Sequence, residues 1–194
     1  MDKIRFGLIG SGWRAEFYIR IAKALPGIFD LTAVLIRDSE KGKSFSEKFN
    51  VPVVNTLDEL ENTEPEFIVL AIKRGTVTEY LIRLFEKGIP VLTETPPGED
   101  VDSLWRLWEA HQKYQPKIQV SEQYFLQPLY ASWYKVICDG KLGEVQNINI
   151  SSLHGYHGAS IIRQFLNTGF GNLKLYGKRY WFDVTETYGR EGMV

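Results

Sequence analysis

The sequence predicts an α/β fold, a doubly wound parallel sheet followed by a small or incomplete α+β domain. Three observations carry that expectation. An apolar strand, Ile4-Arg5-Phe6-Gly7-Leu8-Ile9, runs straight into Gly10-Ser11-Gly12-Trp13-Arg14-Ala15 and then into a helical pattern. Strand-like and helix-like stretches alternate through roughly the first 120 residues, as they do where parallel strands are joined by helical crossovers. Beyond that point the chain becomes richer in aromatics and loses the alternation. The expected division is therefore 1–120 for the sheet domain and 121–194 for the partial α+β domain.

Each element has a local reason. The first helix places Ala15, Tyr18, Ile19, Ala22 and Leu25 on one face before Pro26-Gly27 ends it. Leu31 to Ile36 is a second strand, followed by a polar helix through Lys43 to Phe49. A short strand, Val51 to Val54, leads to Thr56-Leu57-Asp58-Glu59, which has the form of a capping box. Phe67 to Ile72 is a continuous apolar run, expected of a strand buried on both faces. Thr76-Val77-Thr78-Glu79 offers a second capping box, with its helix passing Leu81, Leu84 and Phe85 to stop at Gly88. Val91 to Thr93 is the next strand, a helix carries Leu104, Trp105, Leu107 and Trp108, and a last strand spans Ile118 to Val120. His111 lies in that amphipathic helix and is expected to be structural. In the second region, Pro128 to Asp139 reads as an aromatic-rich helix closed by Gly140. Glu144 to Ser151 alternates like a strand, Gly158 to Leu166 reads as a helix, and strand-like segments lie around Leu173 and from Tyr180 to Thr187.

Composition bounds the function. Hydrophobic content is 44% and the formal net charge is −1, so nothing in the charge balance points to a nucleic-acid or membrane-surface partner. The apolar runs are strand-sized, short of the roughly 20 residues that a transmembrane helix needs. The N-terminus leads directly into a strand, so no targeting peptide is expected. The single cysteine, Cys138, leaves no intramolecular disulfide and fits a reducing, cytoplasmic setting. Its apolar helical neighbourhood predicts a buried structural thiol.

The opening segment carries chemistry. G-x-G-x-x-A between a strand and a helix is a dinucleotide-binding fingerprint. Gly10 allows the tight turn, Gly12 lets backbone approach a pyrophosphate, and Ala15 keeps the helix close to the sheet. The helix N-terminus offers its N–H groups to the anion. An acid about 20 positions further on would bind the ribose of NAD. That position falls near Ile36, followed by Arg37-Asp38, so the missing acid and the available arginine favour NADP, while Asp38 keeps NAD open.

Taken together, the G-x-G-x-x-A start, Val91-Leu92-Thr93-Glu94-Thr95-Pro96, Tyr124 followed by Pro128, and Lys141-Leu142-Gly143-Glu144-Val145 resemble the Gfo/Idh/MocA family of NAD(P)-dependent oxidoreductases. The resemblance implies a Rossmann domain joined to a domain built on an open, mostly antiparallel sheet. The cofactor lies across the strand ends, with Gly10, Gly12, Trp13, Arg14, Ala15, Arg37 and Glu94 as its contacts. A sugar or polyol sits between the domains, with Tyr124, His154 and Arg163 as substrate candidates, and a homo-oligomer forms through the C-terminal sheet. The family's fifth strand typically ends in Glu-Lys-Pro, and here the lysine position is Thr95, which can donate a hydrogen bond but carries no charge. The downstream family pattern is roughly Asp-x-Gly-x-His-x-x-Asp. This chain keeps Gly155 and His157, with Leu153 and Ser160 in place of the acids.

His157 is the expected acid/base group and Thr95 its companion, since an imidazole suits removal of a hydroxyl proton as hydride leaves the same carbon. The His154-x-x-His157 pair lacks a third ligand nearby, so no metal is expected. Glu122, Tyr124 and Arg163 can reach an interdomain cleft. Lys73 and Arg74 leave the fourth strand where open α/β sheets bind ligands, to meet a phosphate or an anionic substrate, or to stand in solvent. A non-catalytic or regulatory dinucleotide-binding protein is the competing expectation, since Thr95, Leu153 and Ser160 depart from the catalytic pattern. The short second region predicts either a truncated version of a longer product or a sheet completed by another subunit.

Overall fold

The computed structural model describes residues 2–151, 154–169, 171, 172, 174 and 176–181. Six strands, β1 (Ile4–Ile9), β2 (Phe29–Leu35), β3 (Val53–Val54), β4 (Phe67–Leu70), β5 (Val91–Thr93) and β6 (Ile118–Val120), form one sheet in the order β3-β2-β1-β4-β5-β6. Every neighbouring pair is parallel. The strands are joined by α1 (Trp13–Ala24), α2 (Ser39–Phe49), α3 (Leu57–Glu61), α4 (Val77–Glu86) and α5 (Val101–Tyr114). This is the doubly wound order of the Rossmann fold, which reverses direction between β1 and β4.

Alternation along each strand explains why the apolar runs are continuous. Ile9, Leu35, Ile68 and Leu70 face one side, where they pack with Leu57, Leu60, Leu81 and Leu84 from α3 and α4. Phe6, Leu8, Val34 and Val69 face the other, against Ala15 and Ile19 of α1 and Phe45 of α2. Neither face is left for water, so both must be apolar. Burying one such leucine or isoleucine contributes roughly 1.5–3 kcal/mol.

The capping signals divide. Thr56 and Glu59 form the reciprocal capping box at the start of α3. Thr76 does not cap α4. Its hydroxyl bonds the Lys73 carbonyl, while Glu79 is drawn across to Arg106 on α5 at 2.6 Å. A box that the spacing does not announce starts α5, where Asp100 and Ser103 bond one another's backbone N–H groups.

After β6 come a 3₁₀ turn (Tyr124–Leu126), α6 (Pro128–Cys138) and α7 (Gly155–Phe165). The helix expected from Gly158 thus begins a turn earlier. The strand expected over Glu144 to Ser151 does not form. It pairs with none of the described strands, and Val145, Ile148 and Ile150 instead border a groove with Trp133, Ile137 and Phe165. Cys138 is exposed, contrary to the expected buried thiol, because α6 has no buried residue and its apolar side chains are not sealed by a second layer. Leu173 and residues 182–187 of the expected later strands lie outside the described residues. Tyr180 and Trp181 are exposed and not in a strand. Among the described residues, no helix is long and apolar enough to cross a membrane.

Candidate active site and its relatives

The sheet register places the site. Ile9 of β1 is level with Leu35 of β2 and Leu70 of β4, so the turns that follow these strands open side by side at the reversal point. A cleft of about 950 Å³ lies there, lined by the Gly10–Arg14 turn, Ile36 to Asp38 and Lys41, Ala71 to Arg74, Glu94 and Thr95, and Gln123, Tyr124, His154, Tyr156 and His157.

The two glycines of the turn do different work. Gly10 sits at φ +130°, and a Cβ there would lie 2.2 Å from the Ala71 carbonyl oxygen. It is needed where the turn crosses β4. Gly12 has an ordinary φ of −85° and nothing within 4 Å of where a Cβ would stand. It caps α1 with no side-chain hydrogen bond, so the first turn presents its N–H groups to the cleft. That open space against a helix N-terminus is the shape a pyrophosphate fits. Ala15 is fully buried beneath it and lies below the cleft floor.

Arg14 and Glu94 both reach the cleft, joined to one another. Their ion pair is 2.7 Å long, and the same Glu94 oxygen accepts the Tyr18 hydroxyl at 2.6 Å. The guanidinium lies over the rings of Trp13, Phe17 and Tyr18, at 4.9 to 5.7 Å from their centroids. Burial and the bond to Glu94 push the Tyr18 phenol up to about 12, so it is a neutral donor across the working pH range. The helical pattern places Tyr18 on the packing face of α1 and assigns it no part in the site, although it stands one helical turn beyond Arg14 and so can reach the same Glu94.

At the β2 end, Asp38 is a helix cap. One of its oxygens accepts the N–H groups of Glu40 and Lys41 at 3.0 Å each. Arg37 and Lys41 line the same corner, and neither forms an ion pair among the described residues. Lys41 was missed, and its only signal was its place in the first turn of α2, just past Arg37 and the Asp38 cap. At the β4 end, Arg74 approaches the Tyr156 hydroxyl at 3.5 Å.

The opposite wall is aromatic. His157 bonds Glu122 through Nδ1 at 2.7 Å, with side chains only 10% and 15% exposed. The second Glu122 oxygen accepts the Tyr124 N–H at 3.2 Å. Tyr124 and Tyr156 lie against the imidazole with ring centroids 4.5 and 4.4 Å away. His154, at φ +63°, caps α7 and stacks on Tyr156. Thr95 lies on the cleft wall after β5. Arg163 is not among the lining residues, and its guanidinium bonds the Gly169 carbonyl beyond its own helix.

Residues 4–122 match the family model described as an oxidoreductase family with an NAD-binding Rossmann fold, GFO_IDH_MocA. The chain belongs to this family. Among curated relatives, a Bacillus subtilis (strain 168) protein named as an oxidoreductase, YteT, is 25% identical over 166 residues, covering 80% of this chain and 39% of the relative. An inositol 2-dehydrogenase of Arthrobacter sp. (strain FB24) is 26% identical over 148 residues, covering 74% of this chain and 44% of its own. The chain therefore spans less than half the length of these relatives. The scyllo-inositol dehydrogenase of Lactobacillus casei, solved with NAD(H) and scyllo-inositol, superposes with a TM-score of 0.72 at 14% identity, over 86% of this chain and 57% of that one. At that identity the likeness is one of fold.

Proposed function

We propose that the protein is an NAD(P)-dependent oxidoreductase acting on a small hydroxylated substrate of the sugar or polyol class. The observation that carries the reading is the convergence, on one cleft, of an open α1 N-terminus and a buried, carboxylate-paired histidine. The family membership and the inositol dehydrogenases among the relatives support the substrate class. The nicotinamide supplies the redox chemistry when bound, exchanging hydride with the substrate carbon. The chain's own residues do the rest. The Gly10–Arg14 turn holds the pyrophosphate, and Arg37 with Lys41 receives a 2′-phosphate, which favours NADP, since Asp38 is committed to its helix. His157 takes the hydroxyl proton on oxidation and returns it on reduction. Thr95, Tyr124 and His154 offer hydrogen bonds that orient the hydroxylated carbon.

Thr95 favours a second reading, binding without turnover, because a hydroxyl replaces the charged lysine of the family pattern. Calorimetric titration with NADP and NAD, followed by a polyol and sugar panel read at the nicotinamide absorbance, separates the two. Binding with turnover of at least one polyol supports the enzyme. Tight binding with no turnover across the panel establishes the second reading.

A further inference from the structure

We propose that Glu122 is the positioning residue of His157, holding the imidazole with its proton on Nδ1 so that Nε2 is the proton acceptor at the cleft. The acid comes from the end of β6, whereas the chain carries Leu153 and Ser160 where the family pattern has acids near the histidine. The inference rests on the assignment of His157 as the proton-transfer group.

The 2.7 Å contact sets the direction of the bond once Glu122 is a carboxylate, because that group only accepts hydrogen bonds and Nδ1 is then the donor. His157 lines the cleft while Nδ1 is turned to Glu122, which leaves Nε2 as the nitrogen available to a substrate hydroxyl. Glu122 is itself held, because its other oxygen accepts the Tyr124 N–H. Tyr124 and Tyr156 flank the ring and restrict its rotation. Carboxylate, imidazole and rings come from three separate elements, 35 residues apart in sequence between Glu122 and His157. An acceptor fixed in this way has its tautomer chosen before substrate arrives.

Glu122→Gln tests this, since the amide can turn its NH₂ toward Nδ1 and drive the proton to Nε2. Nitrogen-15 spectra of histidine-labelled protein, at a pH where the ring is neutral, read the tautomer directly. His157→Asn identifies the resonance by its disappearance. The expected result is an Nδ1–H imidazole in the native protein and an Nε2–H imidazole in Glu122→Gln. With a substrate from the panel, kcat should fall about 10²- to 10⁴-fold while KM changes by less than about threefold. Glu122→Asp should keep the Nδ1–H signature and recover part of kcat. An Nε2–H tautomer in the native protein overturns the proposal, as does an unchanged tautomer with unchanged kcat in Glu122→Gln. Should Glu122→Gln fail to fold, the native spectrum and Glu122→Asp decide. Should no substrate turn over, the spectra still judge Glu122, and only the enzymatic reading fails.

Discussion

Single residues in this cleft separate folding from binding. Gly10 and Gly12 are two positions apart in one motif, yet the backbone demands glycine only at the first. Gly10→Ala places a Cβ within 2.2 Å of a carbonyl oxygen at a φ of +130°. It should destabilise the protein by at least about 2 kcal/mol, visible as a lower urea midpoint at constant slope. Gly12→Val should leave that midpoint nearly unchanged and weaken dinucleotide binding by more than about tenfold, because its side chain fills space the pyrophosphate needs. Unchanged dinucleotide affinity in Gly12→Val, measured by calorimetry, would show that the open space at Gly12 is not a binding space. Arg37→Ala should weaken NADP by roughly 10- to 100-fold, from the loss of about 1.5–3 kcal/mol of charge-assisted bonding, and NAD by much less. Matching losses for the two cofactors, measured by calorimetry, would remove Arg37 from the phosphate corner. Tyr18 supplies a pH test of the ion pair beneath the cleft. Its folded pKa lies above the ordinary phenol value, so its contribution is complete below about pH 10 and is lost as pH rises toward about 12. Tyr18→Phe should flatten the fall in stability over that window, followed by thermal melts at alkaline pH.

At the scale of elements, the same sequence signal had two outcomes, and the difference is tertiary. Thr56 with Glu59 and Thr76 with Glu79 share the capping-box spacing, but only Thr56 forms the box. Glu79 has a competing arginine on the neighbouring helix α5, which no local pattern reveals. Thr56→Ala should therefore cost about 1 kcal/mol, while Thr76→Ala should cost no more than a few tenths, as judged by denaturant midpoints. The sheet was legible because its signal is local: both-face burial makes runs such as Phe67 to Leu70 wholly apolar, and a strand–turn–helix junction marks the cofactor end. The candidate site was legible in halves. The Gly10–Arg14 turn and Arg37 follow from chain order, and His157 follows from its pattern. The Glu122–His157 bond, the Arg14–Glu94–Tyr18 cluster and the commitment of Asp38 to α2 are long-range or competitive pairings, and alternation or spacing carries no information about them. Glu144 to Ser151 failed for the complementary reason. Alternation describes a segment that can pair, but pairing needs a partner strand, and none of the six described strands is bonded to this segment.

Over the whole molecule, burial is unevenly distributed, and stability should follow it. The buried core belongs almost entirely to the sheet and to helices α1 to α5, with Leu8, Ile9, Ile68, Leu70, Leu81 and Leu84 essentially inaccessible to water. Past β6 the pattern reverses. α6 has no buried residue, Leu129 and Trp133 are exposed, and the segment from Glu144 to Ser151 has no ladder hydrogen bonds. α7 is the exception, anchored by Ile161 and Phe165 and by the bond from His157 to Glu122. Local opening requires little free energy where few apolar contacts are lost, and close to the global value where the core must separate. Amide hydrogen exchange should accordingly be slowest in β1 and β4, fastest across α6 and residues 144–151, and intermediate in α7. Glu122→Ala, which removes the bond to His157, should accelerate exchange in α7 without altering β1 or β4, since that bond ties the helix to the sheet end. Protection in α6 equal to that in β1 would mean that the aromatic face of this helix is covered in solution, and would place the least stable part of the protein elsewhere.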